Sequence, residues 1–225
     1  MNRYKKIFIA CDTTSIAKVK KIIKYTKTKK LKIGYKFGLE FINSKSGRKF
    51  ISKLKKKIIF IDIKLHDIPN TMKSAVNALK DLNTNYLTVH ISSGLKALKE
   101  VKKVSGRIKI VGVTTLTSLN NKNLKEIGYS KSIKKLVIEQ SKLAHKANLD
   151  ALVCSPHEVK YVKKIFKKEI ITPGIRLNSK MNDQKRIADP KEAFKKGSDW
   201  LVIGRSVTQG NIRNNIKNLI HHLDK

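Results

Sequence analysis

The sequence predicts an α/β chain folded as a single-domain (β/α)8 TIM barrel over residues 1–225, and three observations carry that expectation. Short runs rich in Ile and Val alternate with longer stretches of helical period, the runs number eight, and no linker or low-complexity tract divides the chain. Alternation of this kind is what parallel strands joined by crossover helices require.

The eight expected strands cover residues 7–12, 31–35, 58–64, 86–90, 108–114, 151–154, 170–175 and 200–205. Between them, stretches such as 16–26, 71–82 and 133–147 place apolar residues three and four apart, with Lys on the opposite face. That spacing builds an amphipathic helix able to cover a sheet. Ser15 is placed to cap the first helix and Asn70 or Thr71 the third, while Gly197 can end the helix before the last strand. Residues 177–189 form the one long polar loop, after strand seven, where barrels of this class place their active sites.

At 225 residues with 40% hydrophobic and 6% aromatic content, the chain can bury one large aliphatic core. Apolar runs such as 57–63 fall far below the roughly 20 residues a membrane span needs. The N-terminus lacks the pattern of a signal peptide, so the expected location is cytoplasmic, with no membrane partner. Cys11 and Cys154 are too few for a disulfide framework and too far apart for a zinc knuckle. Both read as reduced, buried side chains.

The net charge of +35 would, taken alone, suggest nucleic acid as partner. All but seven of the 51 basic residues are Lys, however, and they are scattered over every expected helix instead of forming a stripe. Such a composition is what an AT-rich coding sequence produces, and no specific nucleic-acid partner is expected. Self-repulsion should then dominate the surface, so the thermal unfolding midpoint should rise between low and moderate salt. A fall over that range would contradict this reading of the charge.

In a parallel barrel the strand C-termini surround one shared cavity. Strand one ends in Asp12, strand three in Asp62 and Lys64, strand four in His90 and strand eight in Arg205; Lys32 opens strand two. Asp62 and Lys64, two apart, project to the same side, opposite the apolar set of Ile61, Ile63 and Leu65. A buried ion pair at the barrel mouth is one reading of them, and a reactive pair is the other. Asp67 follows at a turn closed by Pro69, which holds Ile68 extended.

The run FIDIKLHDIPNT, residues 60–71, closely resembles the signature of the orotidine 5′-phosphate decarboxylase family, in its short single-domain bacterial form. The resemblance continues through ACD (10–12), LKIG (31–34), TVHISSG (88–94), VTTLTS (113–118), CSPHE after strand six, TPGIR (172–176), DQKR (183–186) and VIGRSVTQ (202–209). It implies decarboxylation of orotidine 5′-monophosphate to UMP, the last step of pyrimidine nucleotide synthesis, without metal or organic cofactor. It makes Lys64 the proton donor, sets Asp62 beside the departing carboxylate, and completes an alternating charge array with Lys32 and Asp67. Asp67 and the hydroxyl of Thr71 are implied to come from the partner subunit, hence a homodimer with composite sites. Asp12 matches a ribose contact and Thr117 a pyrimidine-side contact. Arg176, Gln184, Gly204 and Arg205 match the phosphate site. Two departures stand out: the stretch from Arg176 to Gln184 is about one residue short, and Ser92-Ser93-Gly94 replaces a pair of glycines.

Magnesium-dependent sugar-phosphate decarboxylases or aldolases of the same superfamily share an Asp-x-Lys-x-x-Asp run. They hold the metal partly by a strand-two acid, and the Lys32 assigned to that position would repel it. A metallohydrolase drawing on Asp12, Asp62, His66, Asp67 and His90 lacks a recognised ligand spacing. A nucleic-acid-binding barrel would need an aromatic-basic patch, which the sequence does not show.

Overall fold

The computed structural model describes residues 4–177 and 188–224. Eight strands, β1 (Lys6–Ala10), β2 (Lys32–Gly38), β3 (Ile58–Leu65), β4 (Tyr86–His90), β5 (Lys109–Val113), β6 (Ala151–Val153), β7 (Glu169–Thr172) and β8 (Trp200–Ile203), close into a barrel in chain order. Every neighbouring pair is parallel, and β1 pairs with both β2 and β8. The (β/α)8 class read from the sequence is therefore the observed one.

Alternation along each strand divides the apolar residues between two cores. Ile7, Ile9, Phe37, Ile59 and Ile61 face outward beneath the helices. Phe8, Phe60, Tyr86, Val111, Ala151, Ile171 and Trp200 fill the barrel itself. Phe8 is the centre of that inner layer, stacked on Trp200 with ring centroids 4.1 Å apart. It fits because its neighbour on β2 is Gly34, where a Cβ would lie 2.6 Å from the Phe8 ring. Below this layer the strand N-termini are closed by a polar plug. Glu169 accepts from Lys6 at 3.2 Å, Lys109 at 2.9 Å, and the Tyr86 hydroxyl at 2.9 Å. Burial would raise the Glu169 pKa, but Lys109, Tyr86 and Lys6 outweigh it and hold the carboxyl below its usual value. With the floor sealed, the open end is at the strand C-termini.

The helix boundaries follow local chemistry. Ser15 caps the helix Ile16–Tyr25 through Lys18 N–H at 3.3 Å, as its position predicts. Gly197, at φ +107°, follows the helix Pro190–Lys195 in the left-handed region that ends helices. The helix after β3 begins earlier than expected. Pro69 takes its first position with Ile68 extended before it, so neither Asn70 nor Thr71 is the cap. Proline is pre-organised for that first position, which decides the boundary.

Strand two corrects the sequence reading most. It extends to Gly38, and Lys32 is its exposed first residue, aligned with Lys6 on the floor side. Lys32 is thus removed from the cavity, and Lys36, four residues on, reaches it instead. Both lysines lie on the same face of the strand because they differ by an even number. Periodicity could not separate them; only the strand's true C-terminus does.

Candidate active site

A cavity of 490 Å³ opens at the C-terminal end of the barrel, above the inner aromatic layer. Phe60, Val113, Val153 and Val202 form its apolar base, and polar groups from β1, β2, β3, β7 and β8 surround them. Among the described residues its charged lining comprises Asp12, Lys18, Lys36, Asp62, Lys64, Arg176 and Arg205, a net +3.

Four of these charges form a row of alternating sign. Lys36 Nζ lies 2.9 Å from Asp12 Oδ1 and 3.3 Å from Asp62 Oδ2, and Lys64 Nζ lies 2.9 Å from Asp62 Oδ1. The side chains of Lys36 and Asp62 are only 10% and 14% exposed, whereas Asp12 is open to solvent at 56%. Burial alone would raise the Asp62 pKa, yet Lys36 and then Lys64 reverse it and hold the carboxyl below its usual range. Burial likewise disfavours a charged Lys36, but Asp62 and Asp12 more than compensate and raise its pKa. Both groups are therefore ionised at neutral pH. Cys11, beside this row, is pushed up to about 12 by burial, so it is a packed thiol without nucleophilic character.

Lys64 owes its position to an irregular strand. Ile61 pairs with Leu87 and Leu65 with Val89, so β3 advances four residues while β4 advances two. Within this bulge Lys64 takes φ +50°, in the left-handed region that a lysine rarely adopts. Its backbone N–H donates to Thr88 Oγ1 at 2.8 Å. Backbone strain of this kind gathers at functional sites, where surrounding contacts must enforce it.

The phosphate-side candidates line the β7–β8 side of the cavity. Arg176 is buried at 7% exposure just after β7, and Gly204 and Arg205 line the cavity after β8. Thr117 lines it from the segment after β5. That segment is anchored by Gln140, whose Oε1 accepts from Thr115 N–H at 2.9 Å and from its hydroxyl at 3.2 Å. Gln184, with the rest of DQKR, lies outside the described residues.

Asp67 and Thr71 do not enter the cavity of their own chain. Both are exposed, and Asp67 Oδ1 accepts the neighbouring Ile68 N–H at 2.7 Å. Within one chain the row is Asp12, Lys36, Asp62 and Lys64, with Lys36 in the place expected of Lys32; Asp67 is expected from the partner subunit. His66 stacks towards His90 with ring centroids 5.2 Å apart, and neither lines the cavity. Among the described residues no three His, Cys, Asp or Glu side chains converge as a metal cluster, and no helix is long and apolar enough to cross a membrane.

The sequence resembles known proteins along most of its length. It is 41% identical over 221 residues to the orotidine 5′-phosphate decarboxylase of Wolbachia sp. subsp. Brugia malayi, covering 95% of this chain and 96% of that protein. It is 46% identical over 180 residues to the enzyme of the same name from Wolbachia pipientis subsp. Culex pipiens, covering 77% of this chain and 79% of that one. The crystal structure of orotidine 5′-phosphate decarboxylase from Lactobacillus acidophilus superposes with a TM-score of 0.83 at 28% identity, over 98% of this chain and 100% of that chain. Residues 5–215 match the family described as orotidine 5′-phosphate decarboxylase / HUMPS, and the chain belongs to that family.

Proposed function

We propose that the protein decarboxylates orotidine 5′-monophosphate to UMP and carbon dioxide, with Lys64 as proton donor. The observation that carries this reading is the row Asp12, Lys36, Asp62, Lys64, set over an apolar base in a cavity that two arginines also line. Near neutral pH the substrate bears close to three negative charges, about two on phosphate and one on the carboxylate, which the net +3 of the described lining complements. Arg176 and Arg205 supply planar forks suited to the phosphate oxygens, and Gly204 leaves the backbone accessible beside them. Thr117 faces the base, and Asp12 the ribose.

In the reaction the bond from pyrimidine carbon six to the carboxylate breaks, the electron pair stays on carbon six, and carbon dioxide departs. No adjacent π system accepts that pair, so the enzyme must stabilise it by fixed charge and a delivered proton. Lys64 is suited to both tasks. Asp62 holds its ammonium at 2.9 Å, keeping it aimed. Lys64 Nζ gives one proton to carbon six and recovers one from solvent after release. Binding energy gained at the remote phosphate wall can hold the reacting carbon in register with Lys64.

A magnesium-dependent sugar-phosphate reaction needs an acid on β2, and Lys36 stands there. Its ammonium fills the gap between Asp12 and Asp62 where a divalent cation would otherwise be held. The reading includes a homodimer in which Asp67 and Thr71, exposed on their own chain, reach the site of a second copy. It also places the enzyme in the cytoplasm, where its two buried cysteines stay reduced.

Loss of orotidine 5′-monophosphate absorbance on adding the enzyme, with and without exhaustive chelation, tests the proposal. Equal turnover in both arms is expected. No turnover would end the decarboxylase reading, and turnover abolished by chelation would return the site to the metal-dependent class.

A further inference from the structure

We infer that Thr88, on β4, is a positioning residue for the reacting pair: one hydroxyl ties the strained backbone of Lys64 to the carboxylate of Asp62. This rests on the reading of Asp62 and Lys64 given above. Thr88 is completely buried in the strand YLTVH, between Leu87 and Val89 of the outer core. Its Oγ1 accepts the Lys64 backbone N–H at 2.8 Å and lies 3.2 Å from Asp62 Oδ1. The direction of each bond follows from chemistry. A backbone N–H can only donate and an ionised carboxylate can only accept, so the single hydroxyl proton goes to Asp62. Asp62 Oδ1 is also the atom that holds Lys64 Nζ at 2.9 Å. The four groups form a closed loop in which the Lys64 N–H donates to Thr88, while the Thr88 hydroxyl and the Lys64 ammonium both donate to Asp62 Oδ1.

That loop fixes the lysine at both ends. The bulge between Ile61 and Leu65 removes regular ladder pairing where Lys64 sits at φ +50°. Thr88 supplies the acceptor that the neighbouring strand's backbone does not. A buried threonine serving only stability could meet its hydrogen-bonding needs on any carbonyl, as Thr114 does on Val153 O. Thr88 instead bonds the backbone of one member of the pair and the side chain of the other.

The test compares Thr88→Val, Thr88→Ala and Thr88→Ser with Lys64→Ala, measuring kcat and KM for orotidine 5′-monophosphate across pH, with folding followed by circular dichroism. Misplacing a reacting group by a fraction of an ångström to an ångström costs on the order of 10- to 100-fold. That loss is expected in kcat for the valine and alanine variants, while KM changes little and the serine variant stays within about threefold of wild type. Because the hydroxyl's bond favours the ionised carboxylate, losing it should also move the acid limb of the kcat profile to higher pH. A purely structural role would not move that limb. The inference is overturned if Thr88→Val and Thr88→Ala keep wild-type kcat and acid limb, if serine fails as badly as valine, or if both hydroxyl-free variants unfold. An active Lys64→Ala would instead sink the underlying assignment of the reacting pair, which separates the two failures.

Discussion

Lys64→Ala is expected to lower turnover of orotidine 5′-monophosphate by at least about 10⁴-fold, combining a lost general acid with lost electrostatic stabilisation, while the barrel stays folded. The two contributions fall on one atom, Nζ, which holds the proton and the positive charge closest to Asp62 among the groups that could face carbon six. Stability should suffer less than activity. The Lys64 side chain is 34% exposed, and Lys36 remains to compensate Asp62 after the substitution. Steady-state kinetics together with a thermal melt separate the two effects. A folded variant with turnover within about tenfold of wild type would remove Lys64 from the chemistry, since a lost general acid alone costs about 10²-fold or more.

Lys36→Met is expected to damage stability and activity together. The methionine preserves length and apolar volume but strips Asp62 and Asp12 of their shared ammonium. Removing one partner of a buried ion pair costs about 3–5 kcal/mol, and the remaining Lys64 places this case toward the lower end. The pH dependence carries a signature. Asp62 has a depressed pKa in the folded wild type, so its contribution is present above the unfolded carboxylate value and is lost as pH falls through the folded one. Lys36 has a raised pKa, so its contribution is complete below the unfolded lysine value and is lost as pH rises through the folded one. The stability gap between wild type and Lys36→Met should therefore be widest near neutrality and narrow toward both extremes. Urea unfolding at neutral pH and below the ordinary carboxylate range measures it. An equal gap at both values would mean that charge pairing is not what Lys36 contributes.

Most of the barrel is legible in the sequence because most strands carry their own punctuation and a short apolar run rich in Ile and Val. β4 begins and ends where its pattern does, at Tyr86 and His90. The site is less legible where one periodicity admits two answers. Lys32 and Lys36 share a strand face and similar surroundings, KIG and KFG, and only the extension of β2 to Gly38 shows which reaches the cavity. Asp62 and Lys64 are found by alternation, although the strand between them is not regular. Alternation gives the correct face, while the bulge and the left-handed turn at Lys64 depend on pairing with β4 and leave no local mark. Thr88 is missed for a related reason. A lone threonine in an apolar strand is ordinary, and its meaning comes from residues 24 and 26 positions earlier in the chain.

The left-handed backbone at Lys64 sets stability against activity at a single position. Glycine reaches φ +50° without the steric cost a lysine incurs, and relieving a non-glycine residue of such a conformation is worth about 1–3 kcal/mol. Selection for thermal tolerance alone would therefore push this position away from lysine and towards glycine, and the resulting protein would be sturdier and inert. Stabilisation by consensus or library methods should hold residues 61–65 and Thr88 fixed as a unit, because the most tempting local repair lies within the reactive group's own backbone.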